Sequence, residues 1–237
     1  NAATSDAKAD AALTYNDTTA PKVQSFTSSS SDGSYKSGAA LNITANMTET
    51  VLSGSTFVAT LNTTDTVNLT AAANGTTLVG TYNVPAGKSS IDLGVTSFTT
   101  GSVTDVYGNT MANTTPPTGQ NLSNNSDLVI DNTPIFANGN ANLVQVDSGN
   151  NTADAGDRVS FNFSEAVANT SALSAQFTGS TTYGASGSPA SASWSNSNQT
   201  LTITLGVGET YGSDDISISD LLDSAGNQTS TLTFDVV

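Results

Sequence analysis

Three landmarks recur in the same order along this chain, and that repeat constrains its fold more than any single motif. Asp17-Thr-Thr-Ala-Pro21 returns as Asp131-Asn-Thr-Pro134. Glu49-Thr-Val51 returns as Glu165-Ala-Val167, each time after an alternating apolar run. Asp105-Val-Tyr-Gly-Asn109 returns as Asp223-Ser-Ala-Gly-Asn227. Matched landmarks in matched order mean two copies of one module, each a little over a hundred residues. A period that long belongs to domain arrays, because solenoid units are shorter. Duplicating a whole domain adds length and reach. It seldom builds a lone active site.

Each module reads as strands. Leu41, Ile43, Ala45 and Met47 alternate with Asn42, Thr44, Asn46 and Thr48. Val159, Phe161 and Phe163 alternate with Ser160, Asn162 and Ser164, and the same period runs through Leu201–Leu205, Ile216–Ser219 and Leu232–Val236. Period two puts the apolar set on one face, as in half-buried antiparallel strands. Abundant Thr favours strands, and clusters of Gly, Asn, Asp and Ser punctuate them. No long segment has helical period. The expected fold is all-β, with two tandem Ig-like antiparallel β-sandwich domains. Residues 1–16 form an Ala- and Asp-rich leading segment. Domain 1 spans 17–130 and domain 2 spans 131–237. The joint at Asp131–Pro134 is short, and Pro134 restricts both itself and Thr133, so a semi-rigid connection is expected.

Composition then removes classes of function. The 237 residues contain no Cys and no His, five Lys plus Arg and twenty Asp plus Glu, for a formal charge of −15. Disulfides, thiolate metal sites and a Ser-His-Asp triad are therefore impossible. So is the commonest general base. The acid excess repels nucleic acid and anionic membrane surfaces and favours divalent cations. No apolar run approaches the roughly 20 residues of a membrane span, and no charged and apolar leader pattern is present. A soluble chain is expected, whether mature protein or fragment. Gly206-Val-Gly208-Glu-Thr-Tyr211 lacks the third Gly and the helix of a dinucleotide loop. No carboxylate pair flanked by aromatics suggests a glycosidase. Trp194, the one Trp, is read as core rather than sugar platform, because its large apolar area favours burial.

The order Asp-Thr-Thr-Ala-Pro, then Asp32-Gly-Ser-Tyr-Lys-Ser-Gly38, then an alternating strand ending in Glu, then Val103-Thr-Asp105-Val-Tyr-Gly-Asn109, resembles the bacterial Ig-like repeats of giant surface adhesins and surface-layer proteins. In the second module, Asp157-Arg-Val-Ser-Phe-Asn-Phe-Ser-Glu165-Ala-Val167 and Leu221-Leu-Asp223-Ser-Ala-Gly-Asn227 carry the same resemblance. Module one departs from the family pattern at Met47-Thr48, where an aromatic and Ser are usual, and its late segment, Ala112–Asp127, is longer. The resemblance implies an Ig-like sandwich serving as a stalk or lattice module, often stiffened by calcium and rarely an enzyme.

Calcium is the chemistry that the residues themselves offer. Carboxylates and amide carbonyls are hard-ion ligands. Asp147, Asn150, Asn151, Asp154 and Asp157 are spaced over one loop with Gly149 and Gly156, without the terminal Glu of an EF-hand. A second candidate site combines Asp131 at the joint with Glu49, Asp105 and Asn109. Its counterpart, Glu165, Asp223 and Asn227, would then need an Asp from a following domain. The competing reading is plain: Asp-x-x-Gly-Asn is also an ordinary turn, and an acidic loop is also a solvated surface.

Fourteen Asn-x-Ser/Thr sequons are present, at Asn16, 42, 46, 62, 68, 74, 113, 121, 124, 150, 162, 169, 198 and 227. The abundance of Asn, Ser and Thr alone gives about seven. The excess points to glycans, unless it only reflects Asn and Thr on polar strand faces. The expectation is a non-enzymatic structural or adhesive protein of the cell surface, extracellular, partnered by neighbouring copies or other surface components. The alternatives are a filament subunit assembled by strand donation through residues 1–16 or a terminal strand, and a carbohydrate-binding module.

Overall fold

The computed structural model describes residues 17–144, 156–170, 177–178, 191–204 and 216–234. The fold is all-β, of mainly antiparallel sheets in a sandwich arrangement, and among the described residues the one α-helix is the single turn α1 (Leu122–Asn125). Two compact units are present. One holds 17–30, 41–82 and 94–126. The other holds 31–40, 83–93 and the described part of 127–237.

The first seven strands are β1 (Val23–Thr27), β2 (Gly33–Tyr35), β3 (Ala40–Val51), β4 (Thr56–Leu61), β5 (Thr66–Thr70), β6 (Gly75–Asn83) and β7 (Val95–Phe98). All but β2 join one sheet in the order β1-β3-β6-β5-β4-β7. The sheet closes on itself. Phe26 lies on one outermost strand and Phe98 on the other, yet their ring centroids are 5.5 Å apart. Phe57 meets both, at 6.4 and 5.3 Å. A flat six-stranded sheet would hold its edges several strand spacings apart, so the rings mark a sheet folded over a shared core. The alternation in β3 behaves as expected: Leu41, Ile43, Ala45 and Met47 are all buried.

The remaining strands are β8 (Leu128–Ile130), β9 (Asn142–Val144), β10 (Arg158–Asn162), β11 (Phe177–Thr178), β12 (Ser191–Ser195), β13 (Thr200–Thr204), β14 (Ile216–Ile218) and β15 (Leu232–Phe234). They form a four-stranded sheet, β12-β13-β10-β9, and a three-stranded sheet, β11-β14-β15. Both sheets feed one core: Val159, Phe161, Leu201 and Ile203 from the first, Ile218 and Phe234 from the second. Phe161 and Phe163 meet Phe234 edge-on at 5.1 and 5.9 Å. Trp194 lies 5.7 Å from Phe163 and packs half-buried against this core. The short strands β2 and β8 pair in parallel.

Phe161 has no exposed surface, whereas Ile91 is 93% exposed. Phe161→Ala should cost about 3–5 kcal/mol in denaturant unfolding, the range for deleting a buried ring. Ile91→Ala should stay within about 0.5 kcal/mol. Similar losses from the two would show that the core has been placed wrongly.

Candidate metal centre

The site begins with a turn. Asp105 Oδ1 accepts from the backbone N–H groups of Tyr107 and Asn109, both at 2.8 Å. Its Oδ2 accepts from Asn109 Nδ2 at 2.7 Å. The turn closes with Gly108 at φ 90°, in the left-handed region that glycine enters without penalty. Asn109 Nδ2 also reaches the backbone carbonyl of Asp17, at 3.0 Å. One amide nitrogen thus ties the late turn to the segment that opens the repeat.

The second repeat builds the same turn and matches three of these bonds. Asp223 Oδ1 accepts from Asn227 N at 2.8 Å and Oδ2 from Asn227 Nδ2 at 2.7 Å. Asn227 Nδ2 reaches the carbonyl of Asp131 at 3.0 Å, and Gly226 stands at φ 80°. The opening segments match as well: Thr19 N donates to Asp17 Oδ1 at 2.8 Å and Thr133 N to Asp131 Oδ1 at 2.9 Å. Even the departure at Met47-Thr48 preserves a bond. Lys22 N donates to Thr48 Oγ1 at 3.0 Å, as Phe136 N does to Ser164 Oγ at 3.0 Å. Thr48 supplies the hydroxyl that Ser164 supplies.

The third acid arrives by strand register. In β3 the inward positions are 41, 43, 45 and 47, so the same period turns Glu49 inward, with buried Val51 after it. Glu165 follows Val159, Phe161 and Phe163 in the same phase. The result is two trios, Asp17 with Glu49 and Asp105, and Asp131 with Glu165 and Asp223. In each, one carboxylate oxygen per residue lies within 4.8 Å of the others.

Unbalanced acids at that spacing disturb their protonation. Burial pushes the Glu49 carboxyl up, helped by the charges of Asp17 and Asp105 and by a hydrogen bond with Asp105. Glu165 is pushed up to about 7, by burial first and then by the charges of Asp131 and Asp223 and a hydrogen bond with Asp131. Asp105 goes the other way. Burial alone would raise it, but the donors of Asn109, Tyr107 and Gly108 outweigh burial and hold it below the usual carboxylate range. In both trios the strand Glu is the acid whose carboxyl is pushed up. Glu49 Oε1 is buried and accepts no hydrogen bond.

These residues fit a hard cation. Calcium binds oxygen at about 2.3–2.6 Å, which puts any two ligand oxygens within about 5 Å of each other. The trios contain only carboxylates, the ligands that calcium prefers and that softer transition metals do not require.

The structure regroups the expected ligands. Asp131 lies beside Glu165 and Asp223, in the repeat that it opens. The expected set of Glu165, Asp223 and Asn227 therefore needs no further domain to supply its Asp. The place beside Glu49 and Asp105 is taken by Asp17, a residue the sequence reading did not count as a ligand. Its signal was present, since Asp17 opens the first repeat as Asp131 opens the second. Asn109 and Asn227 turn amide nitrogens toward the acids and so brace them. Asp147, Asn150, Asn151 and Asp154 lie outside the described residues. Asp157 is fully buried just before β10, not on a solvated loop, so its removal would disturb the core.

No family model matches the chain, and no curated protein matches it. Among solved structures, the Escherichia coli adhesin FdeC is 17% identical over 90% of this chain and 63% of that one, with a TM-score of 0.43. The N-terminal part of the bacterial S-layer protein SbsC is 11% identical over 92% of this chain and 44% of that one, with a TM-score of 0.25. The chain thus spans less than two thirds of either.

The raised Glu165 carboxyl gives a pH signature in metal-free protein. Its ordinary value is 4.5 and its folded value about 7, so between these the folded chain holds more protons than the unfolded one. Stability should then fall as pH rises through that window, the reverse of a salt-bridged acid. Thermal melts in chelator across the window should show this decline, and Glu165→Gln should flatten it. A rise in stability with pH that survives in both proteins would refute the assignment.

Proposed function

We propose that this chain is a non-enzymatic structural or adhesive element of the cell surface, built of two tandem Ig-like sandwich modules, each stiffened by one calcium ion. The observation that carries the proposal is the doubled trio of carboxylates, assembled from three separate segments and braced by the same Asn amide bonds. Evolution of a turn alone would not require an inward Glu beside two Asp. Two full charges at such spacing repel by roughly 3–4 kcal/mol at an effective dielectric near 20. A divalent cation turns that repulsion into attraction.

In the first module Asp17, Glu49 and Asp105 would hold the ion; in the second, Asp131, Glu165 and Asp223. The ion supplies charge neutralisation. It links the opening segment, the inward strand and the late turn, so stretching or proteolysis must break all three connections together. An extracellular setting suits such a site, because millimolar-affinity calcium modules operate there. The acid excess, the absence of Cys and the surplus of sequons support the same location. Neighbouring copies or other surface components are the proposed partners.

Calcium should raise the melting temperature by mass action. One site at a hundredfold excess over its dissociation constant adds about 2.7 kcal/mol. Magnesium should substitute poorly, since it demands a smaller octahedral shell and sheds water reluctantly. Glu49→Gln and Glu165→Gln should each remove one site's share of the difference between calcium and chelator, and the double variant should remove both. Melts that coincide in calcium, magnesium and chelator would reduce the trios to protonated acid clusters and end the calcium reading.

A further inference from the structure

The atom that an N-linked glycan modifies is the side-chain amide nitrogen, and the fold already uses it at several sequons. Asn46 Nδ2 donates to Ser25 Oγ and Thr27 Oγ1, at 3.0 and 3.2 Å. Asn121 Nδ2 donates to Val95 O and Asn169 Nδ2 to Asp220 O, both at 2.9 Å. Asn227 Nδ2 braces the second acid trio. Asn46 and Asn227 spend both hydrogens, so a sugar there would displace a bond, and at Asn121 and Asn169 it would crowd the bond that one hydrogen makes.

Asn74 is arranged differently. It lies in the bend between β5 and β6, and both Asn74 and the sequon residue Thr76 are exposed. Its Oδ1 accepts from Ser53 N at 2.8 Å, and Ser53 Oγ donates to Ala72 O at 3.2 Å, so the bend is pinned from one side. Because a carboxamide is planar, fixing Oδ1 on Ser53 turns Nδ2 away from it. That nitrogen donates to no described residue. Exposure alone does not single out this position. Asn68 is exposed but sits inside β5, held in register with Val58 of β4, and a paired strand interior cannot bend around a transferase. Asn198 is exposed, but its sequon hydroxyl, Thr200 Oγ1, is spent on Asn162 Oδ1 at 2.9 Å.

We propose that Asn74 is an N-glycosylation site whose donor is a lipid-phosphate-linked oligosaccharide. Asn74 Nδ2 forms the new bond to the anomeric carbon of the first sugar. The bond from that carbon to the lipid-phosphate oxygen breaks, the lipid phosphate leaves, and one Nδ2 proton passes to a base on the transferase. Nothing is oxidised or reduced. The product keeps Oδ1, so the Ser53 bond survives modification. The inference rests on the extracellular reading, because lipid-anchored donors serve exported chains.

The test is mass spectrometry of peptides from the whole chain isolated from the cells that make it, beside covalent labelling of the intact cell surface. The peptide spanning Asn74 should carry an oligosaccharide, and peptides spanning Asn46 and Asn121 should be bare. Thr76→Ala, which leaves Asn74 and its Ser53 bond in place, should strip the sugar and keep the calcium-dependent melt. A surface-labelled chain with a bare Asn74 peptide overturns the site and leaves the surface reading standing. A bare peptide from an unlabelled chain overturns both. Sugar retained in Thr76→Ala overturns sequon-directed transfer.

Discussion

Each repeat depends on one buried carboxylate whose two oxygens are both committed. Asp105 and Asp223 are 1% and 2% exposed. A charge taken that far from water is tolerable only if hydrogen bonds replace the water. The Asp-x-x-Gly-Asn sequence provides them locally: backbone N–H groups reach Oδ1 and the Asn amide reaches Oδ2. The local solution has a distant effect, since the same Asn amide still reaches the carbonyl of the linker Asp. The backbone completes the frame. Leu52 N donates to Thr104 O at 2.9 Å and Ala168 N to Leu222 O at 2.7 Å, so the end of the inward strand is stitched to the turn in both repeats. Linker, strand and turn converge because one carboxylate had to be satisfied.

Convergence brings an electrostatic conflict. Three acids meet, and donors from Asn109, Tyr107 and Gly108 hold the Asp105 carboxyl low. Burial and the neighbouring acids make a proton on the strand Glu easier to hold, so its carboxyl is shifted upward in both repeats. Proton and cation therefore compete for one place. On the calcium reading proposed above, a cation would have the advantage, because it answers all three charges and a proton answers one. With a formal charge of −15, the chain as a whole also gains from any bound cation that reduces self-repulsion.

The fold was legible where period and burial coincide. Met47, Phe161 and Phe163 announce a buried face by alternation alone, and they are buried. Five of the six trio acids were legible too, because repetition marks Glu49 with Glu165 and Asp105 with Asp223, while Asp17 carried the same signal and was not counted. Their grouping was harder to read. Sequence places Asp131 equally near the end of one repeat and the start of the next, and only the bond from Asn227 Nδ2 decides between them. Glycosylation shows the same divide. Asn46 looks available because it lies on the polar face of its strand, but cross-strand hydroxyls claim its nitrogen, and no one-dimensional pattern reveals that. Register carries information about faces. It carries none about which polar group satisfies which.

The two repeats differ most where the second meets residues 31–40 and 83–93, and the differences have physical reasons. Thr18 follows the first linker Asp, but Asn132 follows the second. Asn132 Oδ1 accepts from Ser37 N at 2.6 Å, and its Nδ2 donates to Lys88 O and Pro85 O at 2.7 and 3.2 Å. Threonine has too few polar atoms for those three bonds. The turns diverge likewise. Gly226 O accepts from Lys36 Nζ at 2.5 Å and Ser224 Oγ donates to Ser34 Oγ at 3.2 Å, so small residues suit that turn. Its counterpart carries Val106 and Tyr107, which are 49% and 54% exposed. These bonds explain why 31–40 and 83–93 belong to the second compact unit. They also give Asp131 a double role. Its carboxylate joins the acid trio, while its backbone N–H donates to Tyr35 O at 3.0 Å. A cation that fixes the carboxylate would therefore also steady the backbone from which Asn132 takes hold.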